Sequence, residues 1–326
     1  MADRFWVGGT GSWSDNTNHW SASSGGAAGS SKPTSVDNVF FDANSFSGAG
    51  QTVTIDETAY CLTMDWTGVT NSPTLGGSLV LYVYGSLIMP TGVSYALGMW
   101  TIMLSAVSVN VNITPTIGAG IQWQGGGTYT LQHNLVENWN GELQSGTLVL
   151  NGYNWSTSIA TFSTASAKTI TMGNSTITCN GWNYSGTNLT VTANTATINI
   201  TTGNLVGGSA NYNGATFNLN GTAHTVSGAN TFSNLTLKAD TTQTITFTDG
   251  TTQTITTPVL TGSVGKIKTL QGSGAGGWTI SSPTRDVICN YMSISRSTVT
   301  GGGLWHAGPN STNGGNNSGC LFNAYN

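Results

Sequence analysis

Apolar and polar residues alternate along this chain in short runs. Between residues 168 and 202 (KTITMGNSTITCNGWNYSGTNLTVTANTATINITT) four such runs follow one another, at 169–172, 176–179, 188–192 and 197–201. In each, Thr or Asn separates two apolar residues: Ile170/Met172, Ile177/Cys179, Leu189/Val191 and Ile198/Ile200. Strict alternation sends one set to a buried face and the other to water, which predicts strands. Gly-Asn, Asn-Gly, Ser-Gly and Ala-Asn between the runs are turn chemistry. The runs also recur. Ile170 to Leu189 is 19 residues, Ile177 to Ile198 is 21, Leu148 to Ile170 is 22 and Leu235 to Ile255 is 20. Short strands at a period of about 20 predict a solenoid, each coil stacked on the last. No segment carries convincing helical periodicity. The expected fold is therefore all-β: a single-stranded parallel β-helix (β-solenoid) with N- and C-terminal caps.

The ends read differently from the middle. Residues 1–50 hold Trp6, Trp13 and Trp20 among Gly-rich turns, then a flexible SASSGGAAGSSKPTS stretch and the apolar Val39–Phe41 run between Asp37 and Asp42. An open solenoid end exposes both the core and unpaired strand edges, so this segment is expected to be a cap and to serve in attachment. Residues 51–285 supply the coils. Residues 286–326 make a last coil and a turn-rich cap, with Trp305 and Phe322 as plugs.

Composition narrows the function. Charged residues are only 6% of the chain, against roughly 25% in ordinary globular domains. None occurs between Asp65 and Glu137, nor between Lys168 and Lys238. Thr, Asn, Ser and Gly do the solvating, and they stack across neighbouring coils without like-charge repulsion. A net charge of −4 and no basic patch exclude a nucleic-acid partner; Lys266/Lys268 read as two solvated strand residues. No run of about 18 apolar residues predicts membrane insertion, and no apolar segment follows MADRF as in a signal peptide. The expectation is a protein made in a reducing cytoplasm. Cys61, Cys179, Cys289 and Cys320 match no zinc or C-x-x-C spacing, and Cys179 falls on an inward strand position.

Candidate chemistry is sparse. Glu137 and Glu142 flank Trp139 in VENWNGELQSG, a pattern a sugar cleft uses, although the stretch also reads as a solvated turn-rich loop. GSGAGG at 272–277 has dinucleotide-fingerprint spacing, but WTISSP follows it where a helix is required. His19, His133, His224 and His306 are scattered, and capping roles suit them better than metal or catalysis. Asp15, Asp37 and Asp42 could jointly bind Ca²⁺ but read better as turn caps. Thr-x-Thr at 176/178, 190/192 and 244/246/248 suggests the flat face of an ice-binding solenoid. The pairs do not all keep the coil period, which favours ordinary surface Thr. The charge-free stretch 66–136 carries Trp100, Trp123, Met99 and Met103, expected to face another subunit. No catalytic, cofactor or metal site is expected.

The two ends carry a resemblance. RFWVGGTGSWSDNTNHWSASSGG with SVDNVFFDANSF, and the closing MSISRSTVTGGGLWHAGPNSTNGGNNSGCLF, resemble segments of tailed-bacteriophage and prophage virion surface proteins. The resemblance implies a β-helical body on the particle exterior, commonly trimeric, and supplies no catalytic residues. The resulting expectation is a non-enzymatic virion structural protein, a capsid decoration or tail fibre/spike component located on the virion. Its partners would be itself (a homotrimer), other virion proteins and, weakly, host-surface glycans. The interaction residues would be Trp6, Trp13, Trp20, Trp100 and Trp123. The alternatives are a glycan depolymerase spike, and a bacterial cell-surface adhesin or ice-binding solenoid.

Overall fold

The protein is described from a computed structural model, in which residues 1–282 and 285–322 are described. All regular structure among these residues is strand. Parallel strands stack as a β-solenoid, about 13 turns in all. The chain forms two compact units: residues 1–158 with 166–171, and residues 159–165 with 172–326.

The first coils after the N-terminal segment are each built from three strands. Thr52–Ile55, Ala59–Cys61 and Met64–Asp65 form one coil, and Thr74–Gly77, Leu81–Val83 and Leu87–Met89 form the next. Val53 lies on Leu75, Ala59 on Leu81 and Met64 on Leu87. Every inward residue thus rests on the inward residue of the following coil, and the core is a set of apolar columns. The corners between strands are tight. Gly77 has φ 130°, and a Cβ there would lie 2.4 Å from the Ile55 carbonyl oxygen, so only glycine fits.

The N-terminal segment belongs to this unit's first sheet. Asp3–Trp6 pairs in parallel with Asn38–Phe40, which pairs with Met64–Asp65. On the other edge of Asp3–Trp6 lies Trp20–Ser21, antiparallel. That reversed strand covers the edge from which coils would otherwise continue. Beneath it Trp6, Trp13, Trp20, Phe41, Phe46 and Trp66 are buried together, with Phe41 and Trp66 stacked 3.7 Å apart. The indole N–H groups of Trp6 and Trp20 donate to the carbonyls of Gly9 (2.7 Å) and Trp13 (2.8 Å).

In the second unit Thr176–Asn183, Thr197–Ile200, Asn211–Leu219 and Thr231–Leu237 stack in order. Ile177 lies on Ile198, as the spacing predicts, then Phe217 and Leu235; Cys179 leads to Ile200, Leu219 and Leu237. In the first unit Leu148 lies on Ile170, also as expected. The expected Leu235–Ile255 pairing is wrong: Leu235 pairs with Pro258, and Ile255 with Phe232. Thr231–Leu237 turns a corner at Ser233–Asn234, so it carries inward residues on two sides of the coil. Counting apolar residues alone picks the wrong one.

Four charged residues are buried among the described residues: Asp37 in the N-terminal cap, and Glu137, Lys168 and Lys268 in the coils. The reading of Lys268 as solvated is corrected. It occupies an inward position in phase with Leu270, and its ammonium donates to the carbonyls of Lys238 and Thr241. Toward the C-terminus Val287–Cys289, Trp305–Ala307 and Cys320–Phe322 form a small parallel sheet. Trp305 is buried, and Phe322 only half-buried. The last four residues of the expected cap, 323–326, lie outside the described residues.

Candidate functional site

The tryptophans expected to make outside contacts fall into two groups. Trp6, Trp13, Trp20 and Trp123 are fully buried. This corrects their assignment as contact residues: the rings form the cap and coil interior, because a small end cap has no other apolar mass to close it. Trp100 alone of the five is half-buried. Met103, also expected at a subunit face, is buried. What the 66–136 stretch does expose are the corner residues Leu79, Met99 and Val107, and Val136 on a strand. The corner loops 78–80 and 98–100 stack through the Gly98 N–H donating to the Gly77 carbonyl and the Leu81 N–H to the Trp100 carbonyl. Trp139, 52% exposed, joins the same ridge. Its ring lies 6.3 Å from Trp100 and tilted by 41°. Gly120 permits this: a Cβ there would meet the Asn140 carbonyl at 1.8 Å and the Trp100 ring at 2.6 Å.

A cleft of about 310 Å³ opens beside the N-terminal cap. Tyr60 and Tyr82 face outward one coil apart in register, their rings stacked at 5.3 Å and 13°. Tyr60 is 39% exposed and lines the cleft with Tyr84, Pro33, Thr34 and Thr58. Lys32 and Glu57, both in the wall, form an ion pair across it. Tyr60 and Tyr84 bring phenol rings with apolar bodies and polar hydroxyls to the cleft, while Tyr82 backs Tyr60 from outside its lining. The Lys–Glu pair adds a donor and an acceptor within the same cleft. Sequence reading missed this site because Tyr60 and Tyr82 sit 22 residues apart. The usable signal was the outward parity of both tyrosines combined with the coil period.

The carboxylates flanking Trp139 do not share a cleft. Residues 135–143 are two short strands with a corner between them, rather than the expected solvated loop. Glu137 continues an inward column: Val53, Leu75, Tyr95 and Ile117 precede it in register. It is 3% exposed, its Oε2 accepts from the Trp155 indole N–H at 3.3 Å, and its Oε1 has no partner. Burial pushes its carboxyl pKa up to about 8, against the pull of hydrogen bonds from Thr157 and Trp155. Glu142 points the other way, into an outward ladder where the Gln122 and Gln144 amides each donate to its Oε2 at 3.0 Å. Acid and base of a hydrolytic pair must both face the sugar; here the wall of the coil separates them.

The remaining candidates have structural partners. Asp15 caps the turn at Thr17 and Asn18, Asp37 accepts from Ala2 and Thr34, and Asp42 accepts from Asn44. No three metal-ligating side chains converge among the described residues. The GSGAGG loop does bind an anion, but its own: Asp249 accepts from Gly274 N (2.8 Å) and Gly276 N (2.7 Å). Those bonds, Gly274 first, hold the Asp249 carboxyl below its usual pKa. His19 stacks on Trp6 at 4.6 Å and 5°. His224 bridges two coils, accepting from Gly221 N at 2.8 Å through Nε2 and facing the Gly203 carbonyl at 2.6 Å through Nδ1. That arrangement requires the neutral ring with its proton on Nδ1, and burial lowers its pKa accordingly. Cys179 is buried as expected, and burial raises its thiol pKa to about 12.

Comparison with protein families, with curated proteins and with solved structures finds no match to this chain.

Proposed function

We propose that the chain is a non-enzymatic bacteriophage virion structural protein on the particle surface, a capsid decoration or tail fibre/spike component that touches host-surface glycans weakly. The single observation that carries the non-enzymatic reading is the separation of Glu137, inside the coil, from Glu142, outside it. The resemblance of the two chain ends to virion surface proteins supports the particle setting. The tyrosine cleft supports glycan contact: sugar C–H faces pack on aromatic rings, and neighbouring polar groups bond the hydroxyls. One such cleft binds weakly, and many copies on one particle supply avidity. The ridge of Leu79, Met99, Trp100 and Trp139 supports self-association, because contiguous exposed apolar surface marks interfaces. A homotrimer closed by that ridge is the expected assembly. Sedimentation of the purified chain tests it: a trimer in the parent and dissociation in Trp139→Ser are expected, and a monomeric parent would refute it. Particle assembly with the gene deleted tests the virion reading. Particles lacking a surface feature are expected, and particles indistinguishable from the parent would count against it.

A further inference from the structure

One sheet face of the C-terminal unit is unusually regular. Its outward residues form two straight columns. The first runs Thr176, Thr197, Thr216, Asn234 and Thr257; the second runs Thr178, Asn199, Asn218, Thr236 and Val259. As the sequence indicates, the Thr-x-Thr pairs do not all keep the coil period: Thr176/Thr178 heads this array, Thr244/Thr246 lies in another column, and Asn stands in for Thr in the next three rows and Val259 in the last. The row spacing varies between 18 and 23 residues because coil lengths differ, which hides the array in the sequence. The first four rows lie in the charge-free stretch between Lys168 and Lys238, and exposed Lys238 borders the fourth.

We propose that this face binds ice. Rows lie about 4.7–4.9 Å apart and alternate residues along a strand about 6.6–6.8 Å apart, a regular grid on which ordered water can be laid down. A surface that matches a water lattice must present hydrogen-bonding groups at fixed positions, and nine of the ten column positions are Thr or Asn. Thr is stiff at χ1, and the column residues are all half-buried apart from the terminal Val259. The Asn218 amide donates to the Asn199 oxygen at 2.8 Å, and Asn234 meets the Thr216 hydroxyl at 3.0 Å, so the amides are held in line before any contact. Preorganisation of this kind lowers the entropy lost on binding. Charged groups would impose their own hydration and break the match. Methyl groups of Thr between the hydroxyls add apolar area that gains by leaving liquid water.

The chemistry differs from that of the tyrosine cleft, since no aromatic ring lies in either column, so the proposal stands independently of glycan contact. It is tested with the purified full chain in an ice-recrystallisation assay, with crystal shape recorded during slow growth. The parent is expected to halt grain growth and facet single crystals. Thr216→Lys, at the centre of the array, should abolish both effects. Thr279→Lys lies on a different face, in the column Thr252–Thr279–Thr298, and should leave them intact. Thr178→Val keeps the side-chain shape and should weaken the effect even if the lysine variant misfolds. A parent no more active than an equal concentration of serum albumin would overturn the proposal. So would equal loss in Thr279→Lys, or full activity in both array variants.

Discussion

Glu137 makes a quantitative demand on the fold. Its carboxyl occupies an apolar column with one oxygen unpartnered, and its pKa rises from 4.5 to about 8. The group is a raised acid, so the folded state holds its proton more tightly than the unfolded chain. Below pH 4.5 both states are protonated and nothing is lost. From 4.5 to about 8 the unfolded chain ionises while the folded chain does not, so stability falls as pH rises and levels off above 8. At about 1.4 kcal/mol per pH unit, the loss is about 3 kcal/mol at pH 7 and about 5 kcal/mol at pH 9. Glu137→Gln cannot ionise, and its amide oxygen can still accept from Trp155. Urea unfolding of parent and variant at pH 5, 6, 7, 8 and 9 isolates this residue, because every other titrating group cancels in the difference. The variant should gain on the parent at each step up to pH 8 and then hold its lead. Parallel curves across the range would show that Glu137 is not a buried neutral acid and would refute the reasoning.

Three further outcomes follow from the same geometry. Lys268→Met keeps the packing but strands the Lys238 and Thr241 carbonyls, and should cost about 2–4 kcal/mol in urea unfolding; an unchanged midpoint contradicts the buried-cap role. His224 is held neutral with a lowered pKa, so it destabilises the fold as pH drops below its unfolded value of 6.5; His224→Gln should flatten that acid limb, and an unaltered limb would rule His224 out. Asp249→Ala should speed amide exchange at Gly274 and Gly276 roughly tenfold, as for one hydrogen bond lost, while protection in Lys268–Gly272 stays unchanged; equal exchange in both proteins contradicts the nest.

Much of the fold lies open in the sequence because the solenoid repeats a local rule. Alternation names the inward residues, and a period near 20 stacks them, as Ile177 on Ile198 and Leu148 on Ile170 show. The rule weakens where a strand bends, which is why Leu235 finds Pro258 rather than Ile255. The buried charges were readable too. Glu137 is in phase with Leu135, Lys168 with Ile170 and Lys268 with Leu270. Composition argued for solvent there, and parity was the better guide, since a corner carbonyl or an indole N–H can satisfy part of an inward charge. The site was less legible. Tyr60, Tyr82 and the Lys32–Glu57 pair come together only when coils and the N-terminal loop are folded. The Trp-rich opening drew attention to residues whose work is packing.

The central claim, a surface solenoid that touches glycans without cleaving them, is tested by one incubation. Purified protein is mixed with envelope polysaccharide from the bacterial host, and reducing ends and bound polymer are measured together, for the parent, Tyr60→Ala and Glu142→Gln. The account predicts no new reducing ends in any sample, with weak, rapidly reversible binding by the parent that Tyr60→Ala loses and Glu142→Gln keeps. Release of oligosaccharide by the parent that Glu142→Gln abolishes would contradict it.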